Sequence, residues 1–493
     1  MSDWIERLTV VFGEDVNWSA VFFTLLIAVQ IAIVLRVLMR RLEVGVSMAW
    51  VLVVAGFPIA GPLLYLMFGE LRLGSKRAQR FKVLGKNLGS SLEKISDARQ
   101  DPGPDQGGPF AHLAERLLGL PSLGGGKLTL LGDWQASFDA ILADIRAAEK
   151  SCHLEFYIWS DGGRADEVVE ALIAAAGRGV QCRMLLDALG SRPFLRGKTV
   201  KRLRNAGIEV VAALPGGVIR LLFVRFDLRL HRKIVVIDGR IAYTGSMNLV
   251  DPRYFKQSAG VGEWVDAMTR IEGPPVQALA ISFLADWYVE SGESLAEFDA
   301  EDEIHSLDPV GDTIVQAIPS GPAYGANAME RALITAVYSA RDEIILTTPY
   351  FVPDEPLEAA LASAALRGVR VVLVLPKKVD SMLVRHACNA FVGELVDSGV
   401  EVIRFTGGLL HTKSVTIDGE WSLFGSLNLD PRSLHLNFEL TLGVYDEGFT
   451  QQLRALQMEY VSQSEQLLAD RAESKSAGRL AMENLARFVS PLL

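Results

Sequence analysis

The sequence predicts an α/β protein. Two pseudo-twofold-related α/β domains, each a mixed sheet flanked by helices, follow an N-terminal transmembrane helical hairpin. Three observations predict this. Two long uncharged runs lie near the N-terminus. A succession of helix, glycine stop and β-branched strand then occurs twice. Finally, His231-x-Lys233-x4-Asp238 returns 180 residues later as His411-x-Lys413-x4-Asp418, and each copy is followed by Gly-Ser-x-Asn.

The hairpin comes first. Trp18 to Leu35 and Val44 to Gly69 carry no charge. Crossing a bilayer takes about 20 apolar residues. The intervening Arg36–Glu43 is too short for a domain, so helices over 18–38 and 44–69 pair. The segment before them, Met1–Asp15, is acidic, which is unlike a signal peptide. Pro58, Gly61 and Pro62 kink the second helix or make it re-entrant. Arg72, Lys76, Arg77, Arg80, Lys82 and Lys86 outnumber the linker's Arg36, Arg40 and Arg41. That bias puts the remainder of the chain on the cytoplasmic side. The same basic segment suits anionic headgroups.

Residues 1–89 therefore form the hairpin and a basic juxtamembrane segment. Residues 90–126 contain Asp-Pro-Gly-Pro-Asp-Gln-Gly-Gly and Gly-Gly-Gly and read as a linker. The two domains occupy 127–300 and 301–493. In the first, helix-like Ala136–Lys150 leads to an apolar run, then helix Ala165–Ala176 stops at Arg178-Gly179-Val180 before strand Arg183–Leu186. In the second, Asn327–Ala340 and Pro356–Ala365 take the same places, with the stop at Arg367-Gly368-Val369 and the strand at Val371–Leu375. A period this long is a duplicated domain, not a solenoid.

Each motif is a β-hairpin turning at Asp238-Gly239 or Asp418-Gly419. Histidine and lysine are two apart, so they project from one face of one strand. Ser246 and Asn248, or Ser426 and Asn428, return to the same edge on the partner strand. Two such edges meeting about a pseudo-twofold collect what phosphodiester displacement needs. Lys233 and Lys413, with the Ser and Asn donors, neutralise the nonbridging oxygens. One neutral imidazole attacks phosphorus and the other, protonated, donates to the leaving oxygen. Asp238 and Asp418 complete the catalytic motif, and their tight turns point to holding the hairpin. A histidine nucleophile needs a partner that fixes its tautomer. Asp266 and Glu439, downstream of the motifs, are the candidates.

Composition narrows the class. Net charge is −10, and no basic groove interleaved with aromatics is visible, so no nucleic-acid partner is expected. Cys152, Cys182 and Cys388 have no metal-ligand spacing and fit a reducing compartment. No cofactor and no catalytic metal are expected. Oligomeric state is left open, a homodimer included.

These residues resemble the phospholipase D superfamily, whose hallmark is the duplicated HxKxxxxD and GSxN pattern. Asp227-Leu-Arg-Leu-His-Arg-Lys233, Tyr243-Thr-Gly-Ser-Met-Asn248, Asp251-Pro-Arg-Tyr-Phe-Lys-Gln257, Thr348-Pro-Tyr-Phe-Val-Pro-Asp354 and Gly425-Ser-Leu-Asn-Leu-Asp-Pro-Arg-Ser433 resemble bacterial cardiolipin synthases more closely. The hairpin's Phe-Pro-x-x-Gly-Pro and Tyr-x-x-Phe-Gly are similar to that family's membrane segment. Asp430-Pro431 stands one residue nearer its Asn than Asp251-Pro252 does, so the two loops differ. The resemblance implies a multi-pass protein of the bacterial inner membrane whose partners are phosphatidylglycerol and cardiolipin. One phosphatidylglycerol yields a phosphatidyl-enzyme and glycerol, and a second supplies the attacking hydroxyl. It implies His231 as nucleophile and His411 as acid/base, a choice the near-symmetric motifs leave open. A hydrolase of the same superfamily, phospholipase D or nuclease, is the alternative, and a non-enzymatic membrane adaptor is a third reading that the intact motifs oppose. Lys377, Lys378 and Arg385 are candidates for a second headgroup or for plain surface solvation.

Arg220, Arg225 and Arg229 alternate with Leu222, Phe223 and Phe226 just before His231. Such spacing suits an interfacial segment as well as an ordinary core element. If the segment meets the bilayer, Arg220→Glu with Arg225→Glu weakens liposome binding of a hairpin-deleted protein. Unchanged binding by co-sedimentation refutes the interfacial reading.

Overall fold

The computed structural model describes residues 17–40, 44–215, 225, 227–293, 304–325 and 327–467. They fall into two compact units. One comprises Met1–Gly74 with Gly216–Asp227, the other Ser75–Pro215 with Leu228–Leu493.

In the first unit, Asn17 caps helix Trp18–Met39 by accepting from the Ala20 amide. This helix has 22 residues and a hydropathy of 2.6 and is, among the described residues, the one long and apolar enough to cross a membrane. The helix expected over 44–69 is instead two, Val44–Gly56 and Ala60–Phe68. Pro58 has no N–H to continue the first. Pro62 sits in the first turn of the second, where a missing N–H costs nothing. Gly61 permits the close return, since a Cβ there would lie 2.3 Å from the Val53 carbonyl oxygen. Neither piece alone has the length to span.

Buried Glu70 gathers the arginines expected at the membrane rim. Arg36 pairs with it, as do Arg40 at 3.2 Å and Arg72 at 3.1 Å, and the Tyr65 hydroxyl donates to it at 2.9 Å. Arg225 of the suggested interfacial segment pairs with Asp227 at 2.7 and 3.1 Å. Arg220, Leu222, Phe223 and Phe226 lie outside the described residues.

The second unit holds eighteen described strands. The first half has β1 (Ser122–Leu131), β2 (Ser151–Phe156), β3 (Gln181–Asp187), β4 (Glu209–Ala213), β5 (Arg229–Leu230), β6 (Lys233–Ile237), β7 (Ile241–Gly245), β8 (Trp264–Val265) and β9 (Met268–Glu272). The second has β10 (Thr313–Ser320), β11 (Glu343–Thr347), β12 (Arg370–Pro376), β13 (Glu401–Phe405), β14 (Leu409–Leu410), β15 (Ser414–Ile417), β16 (Trp421–Gly425), β17 (Asn437–Tyr445) and β18 (Ser464–Gln466). One sheet runs β18-β13-β12-β11-β15-β16-β17-β10-β1-β9-β7-β6-β2-β3-β4. Its order mirrors about the antiparallel β10–β1 pair, which is the pseudo-twofold of the duplication. In each half three strands, β2-β3-β4 or β11-β12-β13, are parallel and joined by crossover helices, and the inner strands are antiparallel; β18 adds an antiparallel edge to the second half. Each half has its own apolar core. Helix Pro275–Ser291 carries apolar residues on every side because it is almost wholly buried, and its Asp286 and Glu290 are paired with arginines.

Two segments depart from expectation. Residues 75–94, read as a headgroup-binding stretch, begin the catalytic unit as a helix. There Arg77 pairs with Glu290, and Arg80 lies over the Tyr288 ring. Residues 90–126, read as linker, hold helix Gly108–Leu118 and the start of β1. The three glycines lie inside β1, where its register on β10 shifts between Leu123 and Gly126. There β1 changes partner from β10 to β9. Gly125, at φ +75°, supplies the left-handed residue that such a bulge requires. The boundary near 300 lies outside the described residues.

Asp238 and Asp418 share φ +53° at the motif turns. Asp238 accepts from the amides of Glu149 (3.0 Å), Lys150 (2.7 Å) and Ser151 (2.9 Å). Asp418 accepts from those of Arg341 (3.0 Å), Asp342 (2.8 Å) and Glu343 (2.9 Å). Each carboxylate thus fastens its hairpin to the start of the neighbouring strand. Asp418→Ala removes the acceptor of all three amide hydrogen bonds and costs about 2–3 kcal/mol. The check is thermal unfolding of the detergent-solubilised protein, and an unchanged Tm is the contrary result.

Candidate active site

Two short parallel pairs build the site. β5 pairs with the start of β17, and β14 pairs with β8. Each joins the strand leading into one histidine to the opposite half. The His231 amide donates to the Phe438 carbonyl at 2.8 Å, and the His411 amide to the Val265 carbonyl at 2.8 Å. The residue after each acceptor is a carboxylate.

The orienting pairs therefore cross. His231 Nδ1 lies 2.8 Å from Glu439 Oε2, and His411 Nδ1 lies 2.6 Å from Asp266 Oδ1. Each histidine takes its carboxylate from the other half. With Nδ1–H given to a carboxylate, the neutral ring keeps the lone pair of Nε2 available. Tyr157 packs on His231 at a ring separation of 4.9 Å, and Trp264 on His411 at 4.4 Å.

The serines take a different place from the one expected. Ser246 Oγ donates to Asp266 Oδ1 at 2.6 Å and accepts from the Ala267 amide at 3.1 Å. Ser426 Oγ donates to Glu439 Oε2 at 2.6 Å and accepts from the Leu440 amide at 3.0 Å. A hydroxyl has one proton. Both spend it on the orienting carboxylate instead of a substrate phosphate. The asparagines keep the expected capacity. Asn248 Oδ1 accepts from the Ile158 amide at 3.2 Å, which leaves its NH2 as the donor end. Asn428 is buried at the matched position, with its Oδ1 unpaired.

Lys233 and Lys413 are both buried, and each ammonium donates to the carbonyl of the histidine two residues before it. Burial pulls Lys233 down to about 8 and Lys413 well below the ordinary lysine value. Burial likewise lowers both imidazoles from 6.5 to about 4, against the pull of Glu439 and Asp266. Each histidine also feels the lysine of the opposite half, which places all four groups in one electrostatic neighbourhood. Burial alone would lift the two carboxylates, but the facing histidine and lysine hold both below their ordinary values. At neutral pH the site thus has neutral imidazoles and ionised carboxylates.

Asp238 and Asp418 stand at the far ends of the motif strands, about 16 Å from the lysines. The strand holds them away from the reacting groups. Two residues absent from the sequence reading support the site. Arg232, fully buried, faces away from His231, pairs with Asp286 and donates Nε to the Glu439 carbonyl at 3.0 Å. Asp187, at the end of β3, accepts from the amides of Leu189, Gly190 and Leu230, fixing the approach to His231. Strand alternation could have flagged Arg232, since its neighbours at both sides face the cleft. No local signal marks Asp187. One described group could hold a metal ion, Glu330 with Asp354 and His435, whose ligand atoms lie within 4.8 Å of one another. It shares no residue with the motifs.

Protonating a histidine held neutral costs native stability. Above pH 6.5 neither folded nor unfolded chain binds these protons. Below it the unfolded chain binds them first, so stability falls until pH 4, by about 3 kcal/mol per histidine. His231→Gln with His411→Gln should flatten the Tm profile between pH 6.5 and 4. Parallel profiles for variant and wild type would refute the neutral assignment.

Comparisons with known proteins agree with this architecture. Residues 141–269 and 333–458 match the family described as cardiolipin synthase, PLD-like domain. Residues 28–70 match the phospholipase D-nuclease N-terminal family. Cardiolipin synthase A of Yersinia pseudotuberculosis is 43% identical over 486 residues, covering 98% of this chain and 99% of that protein. The Serratia proteamaculans protein of the same name matches to the same extent. The crystal structure of phosphatidylserine synthase from Haemophilus influenzae aligns with a TM-score of 0.61 over 78% of this chain and all of that one, at 15% identity, a likeness of fold. Two matched domains and a relationship running the whole length make this chain an enzyme of the cardiolipin synthase family, within the phospholipase D superfamily.

Proposed function

We propose that the enzyme joins two phosphatidylglycerol molecules into cardiolipin and releases glycerol, through a reversible phosphatidyl-histidine intermediate. The observation that carries this reading is the crossed pairing, which fixes one Nε2 from each half in the neighbourhood of two buried lysines. His231 Nε2 attacks phosphorus, forming an N–P bond as the P–O bond to glycerol breaks. Bound phosphate is anionic and favours the imidazolium form of His411, which gives its proton to the departing glycerol oxygen. The second phosphatidylglycerol then returns a proton to His411 as its hydroxyl oxygen forms the new P–O bond. The N–P bond breaks and the enzyme is restored.

Lys233, Lys413, Asn248 and Asn428 carry the charge that builds on the nonbridging oxygens, so the transfer runs without a metal. Glu439 and Asp266 position the rings, with Ser246 and Ser426 positioning the carboxylates. The 43%-identical synthases support the choice of lipid. Helix Trp18–Met39 supports a place in the bacterial inner membrane. The basic excess after it favours a cytoplasmic catalytic body.

Purified enzyme with phosphatidylglycerol liposomes should yield cardiolipin by mass spectrometry, undiminished by a chelator. His231→Ala or His411→Ala should lower the rate by about a thousandfold or more. Phosphatidic acid without cardiolipin would make the enzyme a hydrolase, and cardiolipin formation surviving either substitution would overturn the site.

A further inference from the structure

The second half contains a cavity that the transfer chemistry leaves unassigned. Its volume is about 130 Å³. The ends of β12 and β13 and the helix Met382–Asp397 line it. Lys377, Arg385 and Arg404 bring three cations to its wall, and among the described residues no Asp or Glu lines it.

The cations are unequally compensated. Lys377 pairs with Glu465 at 2.8 Å. Arg404 is half-buried and donates to Asn389 Oδ1 at 2.9 Å, a neutral acceptor. Among the described residues it has no carboxylate partner. Arg385 makes no side-chain hydrogen bond or ion pair among them. A half-buried guanidinium facing a concavity without a counter-charge is a site for an anion. Two guanidiniums suit a phosphate, whose oxygens accept forked pairs of N–H bonds. Val379, Val384 and Leu375 give the rest of the wall an apolar character.

The place of the cavity decides which phosphate. Thr347, the last residue of β11, pairs with Ser414, beside Lys413. Two residues on, Pro349 lines the cavity. Cavity and His411 therefore share one edge of the sheet. β12 is two strands from β15, about 10 Å. A headgroup glycerol spans part of that distance and the arginine arms span the rest. The matched edge of the first half is built otherwise, since Asp187 ends β3 there and is spent on backbone amides. The halves thus differ where they could tell a donor lipid from an acceptor.

We propose that Arg385 and Arg404 bind the phosphodiester of the second phosphatidylglycerol, presenting its terminal hydroxyl to His411. This rests on the transferase reading above. It makes the second half the acceptor side and the cavity a device that favours a lipid alcohol over water.

The test uses the full-length enzyme in vesicles of phosphatidylglycerol diluted with phosphatidylcholine, with cardiolipin and phosphatidic acid both quantified. Arg404→Gln and Arg385→Gln should each raise the KM for phosphatidylglycerol about tenfold. They should also lower the ratio of cardiolipin to phosphatidic acid, as water replaces the missing acceptor. Arg404→Lys should recover part of the ratio. Arg385 is exposed, so Arg385→Gln tests the idea without threatening the fold. An unchanged ratio and KM in that variant, or equal loss of both products, overturns the proposal. A second arm adds inorganic phosphate. Competition with phosphatidylglycerol in the wild type, weakened in the double variant, supports a lipid-phosphate subsite. Phosphate that alters kcat alone, through the same arginines, assigns the cavity to free phosphate and overturns the lipid proposal. Absence of cardiolipin from the wild type sinks the transferase reading instead.

Discussion

Everything in the catalytic unit depends on two buried imidazole–carboxylate contacts that cross between halves. Neither half can build a site alone, because each supplies the histidine of one pair and the carboxylate of the other. Glu439 and Asp266 are almost fully buried, and a buried charge is tolerated only when paired and hydrogen-bonded. Pulling the halves apart would strand both carboxylates. The crossing thus makes the docking of the halves and the assembly of the reactive groups one event. The β10–β1 pair and the β5–β17 and β14–β8 pairs are the backbone means to it.

Burial then sets the chemistry. The low-dielectric cleft that keeps both imidazoles neutral also strengthens their coupling to the two lysines. In the transfer proposed above, the charge of a bound phosphodiester compensates Lys233 and Lys413 and shifts one imidazole toward its cationic form. Under that proposal the acid and the nucleophile need not differ in sequence, since the substrate itself breaks their symmetry. The serines follow the same economy. By donating to the carboxylates they keep Oε2 and Oδ1 aimed at the rings, so the hydroxyls act through the histidines.

Much of this was legible beforehand because it rests on short-range rules. The two-residue spacing of His231 and Lys233 fixes a common strand face wherever that strand ends up. Asp238-Gly239 marks a turn by its own backbone preference. The unread parts are those that depend on a partner distant in sequence. Ser246 looks like a phosphate donor until Asp266 arrives beside it. Arg77 and Arg80 look like headgroup ligands until the helix Pro275–Ser291 and its C-terminal residues offer Glu290 and an aromatic ring. Gly124–Gly126 has the composition of a linker, yet the same freedom serves a strand that changes partners. Pro58 and Pro62 did announce a break, but its place and the length of each helical piece came from the close approach at Gly61.

By itself the sequence determined the duplicated α/β plan, the apolar N-terminal helix and which histidines and lysines share a strand face. Those are consequences of periodicity, hydrophobic length and local turn chemistry. Only the tertiary structure decided that the carboxylates are exchanged between halves, that the serines serve them, and that the second half alone brings Arg385 and Arg404 to a described cavity. The reason is physical: a charge's effect is set by what is buried next to it, and those neighbours are chosen by the packing of strands far apart in the chain.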